Sequence, residues 1–236
     1  MDEHTRAQLT ELNRRFYDQF AGQFTESRRP AEPGLEIALS QVKPLSRVLD
    51  LGCGQGRVRT MLPETCEYIG VDFSSQMLEQ AAKRTATSGK THYIEADLSS
   101  PEWAQAISGS FECIVLRAVL HHIPGWQDRL QLVRQARLLL SGEGKLILAN
   151  WQFLESPRLR ARILPWSTVG VDQNTVDRGD YLLDWQRGGN GVRYVHLIDE
   201  NETRSLAAES GLIIERLYRC DGHQNRLTLY AILSAG

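Results

Sequence analysis

Val48-Leu-Asp-Leu-Gly-Cys-Gly-Gln-Gly56 is the stretch that decides the fold. An apolar run, Arg47 to Leu51, meets glycines at Gly52, Gly54 and Gly56. Without Cβ atoms such a bend turns sharply at a strand's carboxyl end and lets a ligand approach the backbone. A short helix ending near Pro63 is expected next. Twenty residues past Gly52, at the end of a second apolar run, stands Asp72, whose carboxylate can accept two hydrogen bonds from a ribose diol. Arg57 stands where a dinucleotide fingerprint has its third glycine, so a pyrophosphate is not indicated. Asp50, two residues before the first glycine, suits a ligand carrying a positive charge.

Strand-like runs recur at Arg47–Leu51, Glu67–Val71, His92–Ala96, Phe111–Leu116 and Lys145–Ala149. Helical stretches lie between them. Ser74 and Ser75 can cap one that runs through Lys83 to a stop at Gly89, and Ser100-Pro101 starts another. From Trp126 to Leu140 the apolar residues Leu130, Val133, Ala136, Leu139 and Leu140 follow a helical period, and Gly142 is expected to end it. Asp199 with Glu202 opens a last helix to Ser210, and two strands, Gly211–Tyr218 and Arg226–Leu233, come after it. Strands alternating with helices predict an α/β fold, a doubly wound and mostly parallel sheet.

The chain has 236 residues, 42% hydrophobic and 24% charged, enough for a sizeable core and unlike disordered, collagenous or disulfide-scaffold chains. Its apolar runs are too short to span a bilayer and its first thirty residues lack a secretory core, so neither a membrane role nor export is expected. Cys53, Cys66, Cys113 and Cys220 form no C-x-x-C pair, which suits reduced thiols in a cytoplasm. No residues show metal-ligand spacing. Four segments are expected: a helical cap over 1–44, with Leu9, Leu12, Phe16, Phe20 and Phe24 on one face covering the sheet's edge or end; a ligand-binding core over 45–151; an insertion over 152–192 with little periodicity; and a helix with antiparallel strands over 193–236.

The glycine bend and its partners resemble the class I, Rossmann-like methyltransferases that use S-adenosylmethionine (SAM). Asp50–Gly56 is similar to that family's first motif and Gly70-Val-Asp-Phe-Ser74 to its second. Glu95-Ala-Asp-Leu98, Leu116–Pro124 and Leu139–Ile147 are similar to later segments, in order. The resemblance implies a seven-stranded sheet. It sets Gly52 and Gly54 against the methionine part of SAM, Asp50 by its amino group, Asp72 on the ribose, Phe73 beside the adenine and Asp97 on the adenine amine. It also implies that Tyr17, Cys53, Gly56, Leu98 and Arg117 lie in the cofactor site.

The acceptor is read from the residues after the fourth strand and from the flanks of the core. No Asn/Asp-Pro-Pro-Tyr stands after the fourth strand, which argues against methylation of a base nitrogen. His121 and His122 stand there instead, and either could serve a hydroxyl as general base or simply line the pocket. Phe16–Arg28, Ala149-Asn-Trp151, Gly179–Trp185 and Arg193-Tyr-Val-His196 together resemble the family that methylates the carboxymethyl group of the tRNA wobble uridine. Tyr17, Arg28, His121, His122, Trp151, Asp180, Trp185, Arg193, Tyr194 and His196 match its recurrent positions, while Glu32-Pro33 and Asp184-Trp185 depart from its Pro-Trp pairs. The resemblance implies tRNA as a partner and, by analogy with eukaryotic members, a small activating subunit.

A carboxylate is ionised at neutral pH and needs no base; it needs cations, best as guanidinium forks. Arg28, Arg193 and Arg117 are the candidates. Trp151, Trp185 and Tyr194 could stack a base, with His196 beside them. Arg158, Arg160 and Arg162 form a basic stripe for phosphates. Against this, the net charge is −2, and 152–193 holds six arginines against five acids. The competing readings are a metabolite methyltransferase with a lidded pocket and a non-catalytic SAM-binding subunit.

Overall fold

The computed structural model describes residues 1–26, 32–86, 89–186 and 189–236, apart from the side chains of 21–26. In chain order the elements begin with α1 (Glu3–Glu26), α2 (Pro33–Leu39), β1 (Arg47–Leu51), β2 (Glu67–Asp72), α3 (Ser75–Arg84) and β3 (Thr91–Glu95). Then come β4 (Phe111–Arg117), α4 (Trp126–Leu138), β5 (Leu140–Trp151), α5 (Pro157–Arg160) and β6 (Ile163–Leu164). The chain ends with β7 (Asp180–Trp185), β8 (Gly191–His196), α6 (Glu200–Glu209), β9 (Leu212–Cys220) and β10 (Thr228–Ala235).

Seven strands form the central sheet in the order β3-β2-β1-β4-β5-β10-β9. β1 to β5 run parallel, and β10 runs antiparallel to both its neighbours. The strand order reverses between β1 and β4, which opens a crevice at their carboxyl ends. Because β1 is covered on both faces, Val48 and Leu49 are both fully buried, on opposite sides. Leu49 joins Ile114, Leu116 and Leu146 under α4 and α6, whereas Val48 joins Val115, Ile147 and Tyr230 under α2.

A second, antiparallel sheet, β6-β7-β8, stands apart from the first. Residues 152–192 therefore contain ordered strands, and β8 crosses the boundary expected at 192/193. The period-2 pattern was obscured because β7 and β8 bury Asp180, Arg193 and His196. α1 packs on this small sheet, where Leu9 meets Leu182 and Tyr194 and Phe16 and Phe20 meet Trp185. It also lies over the carboxyl end of the large sheet, where Asn13 bonds to the loop after β4 and Arg14 to Asp97. Each such buried side chain contributes about 1.5–3 kcal/mol. Phe24 has its side chain outside the described residues.

Other boundaries moved for local reasons. Ser74 caps α3, accepting from the Met77 amide at 3.4 Å, but the helix ends at Arg84, well before Gly89. Only a 3-10 turn, Arg59–Met61, follows the glycine bend, and another spans Pro101–Ala106. α4 stops at Leu138, and β5 takes up the leucine run, pairing Leu140 with Phe111 across a bulge, so Gly142 lies inside a strand. Asp199 does cap α6, accepting from the Glu202 amide at 2.9 Å. Among the described residues no helix is long and apolar enough to cross a membrane.

Candidate active site

At the end of β1 the backbone bends back on β2: the amides of Gly52 and Cys53 both donate to the Val71 carbonyl, at 2.7 and 2.9 Å. Gly52 has φ +73, and a Cβ there would lie 2.3 Å from Val119. Gly54 has φ +52 and open space where its Cβ would be. Asp72, leaving β2, fixes the bend: Oδ2 accepts the Gly54 amide at 2.8 Å and Oδ1 the Ser74 amide at 3.1 Å. The bend thus forms one wall of a cavity of about 400 Å³.

Gly52, Cys53, Gly54, Asp72, Phe73, Asp97, Leu98, Arg117 and His122 line this cavity, and Tyr17 closes it from α1. Asn13, Arg14 and Arg57 line it as well. Asp97 lies just past β3, with Oδ1 taken by the Ser99 amide at 2.9 Å and Oδ2 paired with Arg14. Arg117 pairs with Glu32 through both nitrogens of its fork, Nε to Oε2 at 2.6 Å. Burial works against the Arg117 charge, yet Glu32 holds its pKa above the ordinary value. Asp50 and Gly56 are placed elsewhere. Asp50 is 1% exposed and accepts from the Tyr68 hydroxyl at 2.6 Å, and Gly56 backs onto Tyr93.

Arg117, Ala118 and His122 are shared with a second cavity of about 800 Å³. There β5 ends at Trp151, β7 ends at Trp185, and β8 delivers Arg193 between them. The Arg193 guanidinium lies over three rings, 5.0 Å from Trp151 and 5.5 Å from both Trp185 and Phe16. Burial lowers its pKa, a hydrogen bond with Tyr17 partly restores it, and nearby Arg162 lowers it further. His121, 2% exposed, lies against His122 with ring centres 4.2 Å apart. His122 Nε2 is 2.6 Å from the Tyr17 hydroxyl.

Several expected site residues are not at either cavity. Arg158 and Arg162 reach the larger one, but Arg160 does not, because the turn of α5 places it between them on the other side. Tyr194 and His196 face the interior: the Tyr194 hydroxyl donates to Asp180 at 2.7 Å, and His196 is held by Asp180 and Glu202, both at 2.6 Å. Arg28 falls outside the described residues. Asn13 and the Glu32–Arg117 pair were missed; Glu32 had stood out only as a departure from a pattern.

Residues 49–146 match the family described as a methyltransferase domain. The chain thus carries a methyltransferase domain on a doubly wound α/β fold. A tRNA (carboxymethyluridine(34)-5-O)-methyltransferase of Xenopus tropicalis is 28% identical to this chain over 135 residues, 57% of this chain and 20% of the relative. A probable tRNA methyltransferase 9B of Bos taurus is 25% identical over 182 residues, 75% of this chain and 38% of the relative. The chain thus spans well under half the length of both. An S-adenosylmethionine-dependent methyltransferase of Clostridium acetobutylicum shares the fold, with TM-score 0.67 at 14% identity over 94% of this chain and 98% of that one. The smaller cavity fits SAM on its own chemistry, since the open face of Gly54 admits close approach and Asp72 keeps lone pairs for a diol. Arg57 and Arg117 also line it, and both are paired with Glu32, Arg57 at 3.8 Å.

Proposed function

We propose that this methyltransferase esterifies a carboxylate on a planar acceptor, and that the acceptor is the carboxymethyl group of a tRNA wobble uridine. One observation carries the reading: the larger cavity adjoins the donor cavity and holds Arg193 in a box of Phe16, Trp151 and Trp185. A guanidinium fork matches carboxylate oxygens, and the indole planes suit a stacked base. Bound SAM supplies an electrophilic methyl on a sulfonium, so the protein need only align and desolvate the acceptor. In this reading Asp72 holds the ribose, Phe73 and Leu98 flank the adenine, and Arg14 yields Asp97 to the adenine amine. His122, whose Nε2 meets the Tyr17 hydroxyl, serves as a wall, consistent with an acceptor that needs no base.

Arg158 and Arg162 at the rim suit phosphates, and the names of the two curated relatives support a tRNA acceptor. With a net charge of −2 the chain has little general pull on RNA, and the reading assigns further affinity to a small partner subunit. The test is to incubate the protein with SAM and tRNA whose wobble carboxymethyl groups have been freed by mild alkali, then digest to nucleosides. Mass spectrometry should find the methyl ester of carboxymethyluridine. Methyl on a base nitrogen, or only in a parallel metabolite extract, overturns the acceptor.

A further inference from the structure

We infer that Asn13 and Tyr17 are positioning residues through which the helix over the donor cavity builds the acceptor cavity, so that filling the first orders the second. The inference rests on assigning the smaller cavity to the methyl donor. Asn13 and Tyr17 are four apart on α1 and share a face. The Asn13 side chain bonds twice: Nδ2 donates to the His122 carbonyl at 3.1 Å, and Oδ1 accepts the Tyr194 amide at 2.9 Å. Tyr17 repeats the pattern, with its hydroxyl 2.6 Å from His122 Nε2 and a hydrogen bond to Arg193. Each residue therefore joins the loop after β4 to β8. Phe16, next to Tyr17, supplies one ring of the Arg193 box and meets Trp185 edge-on, ring centres 5.7 Å apart.

Asn13 and Tyr17 also line the donor cavity, and Arg14 beside them reaches across to Asp97. A ligand there touches the same helical turn that sets His122 and Arg193. Such coupling is reciprocal: whatever the donor does to the acceptor residues, the acceptor does to donor affinity. β8 belongs to the second sheet and the His122 loop to the first, so the helix spans two units whose relative placement decides whether the cavities meet.

Hydrogen exchange on the full chain tests this without an acceptor. Saturating S-adenosylhomocysteine, with binding confirmed by calorimetry, should slow exchange at 119–123 and 191–196 as well as at 52–56 and 72–74. Tyr17→Phe keeps the ring and loses the hydroxyl. It should bind the ligand and keep protection at 52–56, but lose about tenfold of the protection gained at 191–196. Asn13→Ala should do the same and serves as the second variant. The inference is overturned if the bound ligand protects only the donor segments of the wild type, or if both variants protect 191–196 as the wild type does. It also falls if Tyr17→Phe no longer binds, since the hydroxyl would then hold the donor itself. No binding by the wild type removes the donor assignment, a separate and visible failure.

Discussion

Asp72 illustrates how much one side chain can fix. Its two oxygens accept the Gly54 and Ser74 amides, so the carboxylate shapes the bend before any ligand arrives. Charged hydrogen bonds of this kind are each worth about 1.5–3 kcal/mol, so Asp72→Ala should weaken SAM by roughly ten- to a hundredfold in calorimetry. An unchanged dissociation constant would remove Asp72 from the donor site. Arg193 is the counterpart on the other side of the shared wall. Arg193→Lys keeps a charge but loses the planar fork and its stacking on three rings, and turnover should fall about tenfold or more with SAM affinity intact. A motif read in sequence names such residues but not the way they face. Asp50 and Asp72 both stood out beside the glycines, yet Asp50 turns inward to Tyr68. Strand position decided which acid meets the cavity.

Elements decide the rest. Along β8 alternate residues face opposite ways, which sends Arg193 to the cavity and Tyr194 and His196 to the interior. The core strands were visible in the sequence because apolar runs alternated with capped helices. β7 was not, because its buried acid is balanced by partners on β8 that are distant in sequence. That buried cluster has a measurable signature. Burial opposes protonation of His196, but bonds to Asp180 and Glu202 outweigh it and raise the pKa above 6.5. A raised pKa adds stability that is fully present below 6.5 and is lost as pH climbs through the folded value. The urea midpoint should therefore drop as pH rises above 6.5, and His196→Gln should flatten that slope. A wild-type midpoint that rises over the same range would contradict the sign. α5 makes a second distinction: Arg158→Ala with Arg162→Ala should weaken tRNA binding, whereas Arg160→Ala, pointing away from the cavity, should not.

At the scale of the whole molecule, electrostatics separate the two classes of acceptor. Two phosphate contacts at Arg158 and Arg162 would give tRNA binding a slope near −2 in log affinity against log salt, and removing both should abolish about that much of it. A metabolite acceptor would show a slope near zero in the intact protein. The fold class and the donor bend were readable from spacing because both depend on local backbone rules. The larger cavity was not, since it is assembled from α1, α5, β5, β7 and β8, which meet only after two sheets and a helix have packed.

Ala118, held at φ +59, lines both cavities and carries only a methyl group. A synthetic compound that tethers an adenosine to a carboxylated heteroaromatic ring through a linker of two or three carbons would lodge in both chambers at once. Its second half would bind at millimolar effective concentration, so it should inhibit far more strongly than its separate pieces mixed together. A bulky replacement at Ala118, by coming between the two chambers, should make the tether no better than its halves.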